Sequence, residues 1–194
     1  MSMSNILYVV DNNDKKDYTY HLKEDAVIYH FSINSSSNVN ITLEKENIKL
    51  YYYYNNINYD NNAFNIEVTH QKDDTTSELF IHGVNVKGKK LDYEVNGIVP
   101  KNSNNCLCNQ ENQIINIGNG KSTIHPNLLI DNFNVESNHS AYIGKIKEDK
   151  VFYLMSRGLS KKEAYQLLLK GFLINMDSID MNRIKKFQKE LEKI

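Results

Sequence analysis

From Val39 to about Ile146 apolar and polar residues alternate in short runs, with clusters of Asn, Asp and Gly between them. A period of two sends successive side chains to opposite faces, so each run predicts a strand with one buried side. The runs are 39–43, 48–54, 64–68, 77–86, 91–99, 112–117 and 125–130. Positions 51–54 break the alternation because all four are tyrosine; both faces of that strand must pack against something or meet a partner. No helical period long enough to cross over a parallel sheet separates the runs, which disfavours a doubly wound α/β fold. A sandwich, a barrel and a β-solenoid remain. Asn at the corners suits the left-handed backbone positions that stacked coils need and favours the solenoid, although the letters contain no repeat of fixed period.

Past Ile146 the period changes. Residues 148–156 place Val151, Phe152, Leu154 and Met155 on a short amphipathic helix, and Gly158 stands where a helix ends. Ser160 and Glu163 have the spacing of a capping box, and Ala164, Leu167, Leu168 and Phe172 supply the stripe of a core-facing helix with Gly171 inside it. A third helix from about Ser178 carries Ile179, Ile184, Phe187 and Leu191 on one face and lysines largely elsewhere. The chain thus divides into a β body, 1–146, and a helical segment, 147–194.

Composition narrows the function. The 194 residues fit one domain or one elongated body with an appendix, and 40% apolar content with thirteen Tyr and seven Phe is enough to fold. A formal charge of -1 argues against a nucleic-acid binder that relies on a basic surface. The charge is uneven, +5 from Lys145 onward and -6 before it, so the basic C-terminal piece either meets an acidic partner surface or is a solvated lysine-rich face. No run approaches the roughly 20 apolar residues that span a bilayer, and the N-terminus has no basic n-region, so no membrane partner and a cytoplasmic location are expected. Cys106 and Cys108, one residue apart, fit neither a disulfide framework nor a four-ligand zinc site.

Several motifs invite chemistry. GNGKST at 118–123 lacks the first glycine of a phosphate loop, Ile115 standing there, and no helix follows; it reads as a turn between coils. Cys106 and Cys108 point to one face of a strand, either lining an interior or offering a soft metal two thiolates with help from a second chain. His70, His82 and His125 are scattered through strands without further ligands. Asp73, Asp74, Asp92 and Glu94 sit in turns or in one short strand, which disfavours a carbohydrate-active site built on paired carboxylates.

The run from Pro126 to Leu173, above all NHSAYIG (138–144), FYLMSRG (152–158) and LLKGF (168–172), closely resembles the end of the SufB/SufD family, the paired scaffolds of the SUF iron–sulfur assembly system. Upstream, residues 68–99 resemble that family's strand pair. The resemblance covers roughly the second half of a family member and leaves the N-terminal stretch, up to about Asn40, unmatched. It implies a right-handed parallel β-helix, mainly β, with a C-terminal helical segment that docks a SufC-like ABC ATPase. It further implies a non-enzymatic SufD-like scaffold that pairs edge to edge with a SufB-like subunit or with itself. No permanently bound cofactor is implied, but a transient iron–sulfur cluster shared with a partner is. His139 matches the junction histidine and is the candidate cluster ligand; the alternative is a strand histidine satisfied by hydrogen bonds. Phe152, Tyr153, Arg157 and Gly158 are the candidate ATPase contacts, or else they anchor and end the first helix. Two departures stand out: Ser137 where SufD has a cysteine, and Gly120 where SufB carries its cluster-linked cysteine. With both thiols replaced, a stand-alone interaction module that keeps the docking tail is the second reading.

Overall fold

The computed structural model describes residues 5–86, 88–174 and 179–194. Its strands are β1 (Ile6–Asn12), β2 (Lys15–Leu22), β3 (Ala26–Ile33), β4 (Ser36–Leu43), β5 (Lys49–Asn58), β6 (Asn62–His70), β7 (Thr76–Asn85), β8 (Lys90–Val99), β9 (Cys106–Asn116), β10 (Lys121–Ile130) and β11 (Val135–Gly144). Three helices follow, α1 (Glu148–Ser156), α2 (Lys161–Leu173) and α3 (Lys185–Leu191). Odd-numbered strands form one sheet and even-numbered strands the other, each in chain order. All neighbours are parallel.

The chain therefore crosses from sheet to sheet at every strand, and the opposite strand does the work of a crossover helix. The result is a β-solenoid of five coils plus a final half-coil formed by β11. Of the three architectures that alternation permits, stacked coils are the one adopted. Coil length varies along the chain, as the register partners show: Ile6 faces Val27, Leu50 faces Ser77, and Ser77 in turn faces Cys108, each pair further apart in sequence than the one before, and the step from Cys108 to Ser137 shortens again. That variation is why no fixed repeat is visible in the sequence. Asn13, Asn34, Asn47, Asp74 and Asn105 occupy corners with φ between 48° and 60°, a conformation Asn and Asp tolerate better than other side chains.

Between the sheets the interior is aromatic. Tyr54, Phe64 and Tyr93 meet with ring centroids 5.1 to 6.0 Å apart. Gly83 makes room for this cluster, since a Cβ there would lie 2.2 Å from the Tyr93 hydroxyl. Outside the odd-numbered sheet lies a second core, where Phe31 of β3 packs edge-on against Phe187 of α3 at 4.9 Å. Tyr8, Tyr29, Tyr53 and Phe80, paired in register on four successive strands, form a ladder beside it at spacings of 5.1, 5.2 and 4.9 Å. The four tyrosines of β5 are explained from within the chain: Tyr52 and Tyr54 fill the interior, while Tyr51 and Tyr53 pack against the outer core.

The seven strands expected from alternation each match an observed strand, with ends that overrun it by no more than a single position. Three strands, β1 to β3, lie ahead of the first expected run, which falls within β4, and β11 is not among the expected runs. In β3 all eight positions are buried, so it has no polar face to alternate. In α2 the expected Ala164 is buried and Phe172 packs on the outer core, but the other buried positions are Leu169 and Leu173, and the expected Leu167 is exposed. The segment LLLKGFL offers two apolar faces, and packing on the odd-numbered sheet selects one. Ile179, Ile184, Phe187 and Leu191 are buried as the third helix requires, but regular helix begins only at Lys185. The expected start at Ser178 lies outside the described residues.

Candidate functional site

The last half-coil is structurally unfinished. β11 pairs with β9 on one edge, and among the described residues no strand of the even-numbered sheet lies beyond β10 to cover its inner face. Alternation along β11 would turn Ser137, His139, Ala141 and Ile143 toward an interior, as their register partners Cys108, Gln110, Asn112 and Ile114 are turned. Those four partners are buried, whereas His139 and Ala141 are exposed and Ile143 is 42% exposed. Phe133, in the turn between β10 and β11, adds exposed apolar surface. The free edge of β11 leaves backbone donors and acceptors available to another strand.

His139 is thus an accessible imidazole on an uncovered face, not a satisfied interior histidine. No cluster of three or more His, Cys, Asp or Glu arranged for a metal occurs among the described residues. Cys108 sits one coil below Ser137 in the same inward column and is fully buried. Burial pushes the Cys108 thiol up from its ordinary value, with a hydrogen bond from Ser77 opposing, so the thiolate that soft metals require is disfavoured. Cys106 lies with it, 3.3 Å from the Thr75 hydroxyl. Both thiols line the interior and are closed to a second chain. Gly118, Asn119 and Gly120 lie in the turn between β9 and β10, inside the last full coil, and Lys121, Ser122 and Thr123 open β10, so GNGKST is part turn and part strand rather than a turn between coils.

His70 and His82 have structural partners. His70 is buried between the Thr75 hydroxyl at 2.8 Å and the Ser77 hydroxyl at 2.9 Å. His82 pairs with Glu111 at 3.1 Å and stacks on Phe172 of α2 at 4.8 Å, clasping the helix to the sheet. His125 is exposed on β10. Sequence reasoning missed a buried network, in which His30 joins Asp11 at 2.7 Å and Tyr52 at 2.9 Å while Tyr18 donates to the same carboxylate. Burial raises the Asp11 pKa, but the hydrogen bonds from His30 and Tyr18 outweigh it and hold the carboxyl below its usual value. These groups come together only through the register of the first coils.

The helical tail presents a second surface. α1 buries only Val151, leaving Phe152 66% and Tyr153 59% exposed with Met155 beside them. The Arg157 guanidinium lies 5.4 Å from the Tyr153 ring centroid, a cation–π placement that steadies both. Phe152 and Tyr153 therefore do not anchor the helix to the last coil. Gly158, at φ 99°, ends it through hydrogen bonds from Gly158 N–H to Met155 O and from Leu159 N–H to Leu154 O, the paired bonds of a Schellman turn. All four candidate contacts lie on α1 or at its C-terminal turn, and three of them carry exposed side chains with no role in the core.

A family model described as the SUF system FeS cluster assembly, SufBD core domain, matches residues 9–172. The chain belongs to the SufBD core family. The match takes in most of the N-terminal stretch before Asn40, where the letters alone carry no resemblance, because β1 to β4 continue the same coils. Among curated SufBD relatives, the iron–sulfur cluster assembly protein SufB of Bacillus subtilis is 31% identical over 137 residues, covering 64% of this chain and 28% of that protein. SufD of Bacillus subtilis is 27% identical over 111 residues, 57% of this chain and 25% of that protein. A SufBD family protein of Pyrococcus horikoshii is 53% identical over 49 residues, a quarter of this chain. The chain thus spans little more than a quarter of the length of its SufB relative.

Proposed function

We propose that this SufBD-family chain is a non-enzymatic, SufD-like scaffold in iron–sulfur cluster assembly. It offers its last half-coil to a SufB-like subunit and its α1 surface to a SufC-like ATPase. The observation that carries the reading is the joint exposure of β11 and α1, two adjoining surfaces built from apolar and aromatic residues that the fold leaves uncovered. An open parallel edge is completed by a strand from another subunit, and a rim of Ile143 and Phe133 would be buried by that pairing. Phe152 and Tyr153 are large, exposed side chains flanked by a cation, the composition of an interface anchor.

The iron–sulfur cluster is cargo in this reading. His139 supplies one nitrogen donor at the open face, and since both thiols are buried, the remaining ligands come from the subunit across the edge. The buried thiols and Ser137 favour a second reading, an interaction module that keeps the docking surface without cluster work.

Co-expression with the SufC-type and SufB-type proteins of the same genome tests both. A tagged chain is expected to retain both partners. The double substitution Phe152→Ser, Tyr153→Ser is expected to release the ATPase while keeping the SufB-type subunit, at a cost of about 2 kcal/mol or more in ATPase affinity. Retention of neither partner by the unaltered chain overturns the proposal. In anaerobic reconstitution His139→Ala lowers cluster yield under the first reading and leaves it unchanged under the second.

A further inference from the structure

Between the outer face of the odd-numbered sheet and helices α1 and α2 lies a cleft of about 550 Å³, within the size range of small-molecule sites. Its apolar lining comes from Ile115, Ile146 and Phe172, which rest on the outer core, and from Leu168. Tyr142 forms another wall. Its hydroxyl lies over Gly144, where a Cβ would approach to 2.1 Å, so the ring is laid along β11 by the bare glycine beneath it. Gln113 adds an amide whose nitrogen donates to Glu111 at 2.8 Å.

Charge gives the cleft its sign. Lys145, Lys147 and Lys150 all line it, and none lies within ion-pair distance of a carboxylate among the described residues. The two acids of α1 are held by hydrogen bonds rather than by these lysine side chains: Glu148 accepts from the Tyr165 hydroxyl at 2.9 Å, and Asp149 accepts from the Lys150 backbone N–H at 2.9 Å. The lining itself holds three cations and no acid, which sets a positive potential over an apolar floor, offset in part by Glu148 and Asp149 in the first turn of α1 and by Glu111 behind Gln113.

Gly171 is the independent observation. It lies inside α2, where glycine costs about 1 kcal/mol relative to alanine. Nothing within 4 Å would obstruct a side chain there, so packing within the chain does not call for a glycine. It lines the cleft, where a side chain would take up the space. The bare backbone keeps that space open.

We infer that this cleft binds a planar organic anion, an aromatic body carrying a phosphate, sulfonate or carboxylate, with the ring between Tyr142 and Phe172 and the acid group among the three lysines. Inorganic phosphate alone would use the lysines and leave the apolar walls bare, and a neutral aromatic would leave the lysines without a counter-charge. The site is separate from the exposed side chains of Phe152 and Tyr153, and the inference does not depend on the scaffold reading.

The test uses the full chain and two probes, the fluorescent sulfonate 1-anilinonaphthalene-8-sulfonate and adenosine 5′-monophosphate. The sulfonate is expected to bind with one dominant site, and the nucleotide to displace it where the same concentration of inorganic phosphate does not. Gly171→Leu, which favours helix and so preserves the fold, is expected to abolish that site. Lys147→Glu with Lys150→Glu is expected to weaken it by about tenfold. Amide chemical shifts on adding the nucleotide should move at Gln113 and Gly171. Unchanged sulfonate affinity in both variants overturns the inference. So does displacement by the SufC-type protein without displacement by the nucleotide, which would assign the cleft to the ATPase interface.

Discussion

His70 spends its hydrogen-bonding capacity inside the solenoid, on Thr75 and Ser77, and burial lowers its pKa from 6.5 to about 4. A base whose folded pKa is depressed binds fewer protons folded than unfolded between those two values. The stability it protects is therefore intact above pH 6.5, falls as pH drops towards 4, and is constant below that. A shift of this size corresponds to about 3 kcal/mol. Urea denaturation of the wild-type chain and His70→Gln at pH 7 and pH 4.5 should show the wild type losing more unfolding free energy over that interval by an amount of this order. A difference independent of pH would contradict the assignment. Such residue-level chemistry was only partly legible. The sequence singles out His139, and the structure does expose it, because its position depends on strand order near the end of the coils. The Asp11–His30–Tyr52 network was not legible, since its members stand on three different strands and meet only once coil lengths are known.

Among the elements, β4 to β10 were readable from alternation, whereas β3, with no wet face, was not, and β1, β2 and β11 went unread although each has exposed positions. Residues 64–68 and 91–99 alternate because the outside of the even-numbered sheet faces solvent, where Asn65, Asn96 and Asn127 link successive coils by side-chain hydrogen bonds of 3.2 and 2.8 Å. β3 lost its alternation to α3, a helix at the opposite end of the chain, so no local pattern could reveal it. The start of α2 was fully legible, because a capping box is local chemistry: Ser160 Oγ accepts from Glu163 N–H at 3.3 Å and Glu163 accepts from Ser160 N–H at 2.8 Å. Which face of α2 turns inward was not, for the reason that it carries apolar residues on two. Ser160→Ala is expected to cost about 1 kcal/mol in chemical denaturation. The loss should appear as faster amide exchange in the first turn of α2, with β3 to β9 unaffected; an unchanged midpoint would remove the cap from the account.

For the molecule as a whole, parallel coils stack without limit unless something ends them, and this chain ends them unevenly. At the first coil Ile6 and Leu7 are exposed, and a hollow of about 310 Å³ opens onto Leu22 and Ile28 of the inner core. At the last, β11 stands without an opposite strand and α1 extends its aromatic side chains away from the body. Among the described residues no helix is long and apolar enough to cross a membrane. Membership of the SufBD family places the chain among iron–sulfur assembly proteins, and its match covers only 28% of the SufB relative. The uncovered C-terminal surfaces are where the proposed partners would complete it. Hydrogen–deuterium exchange of the chain alone, and mixed with the SufC-type and SufB-type proteins, tests this most directly. The account predicts that amides along β11 slow on adding the SufB-type subunit and that those of α1 slow on adding the ATPase. Exchange unchanged at both places, or slowed only on the outer face of the even-numbered sheet, would contradict it.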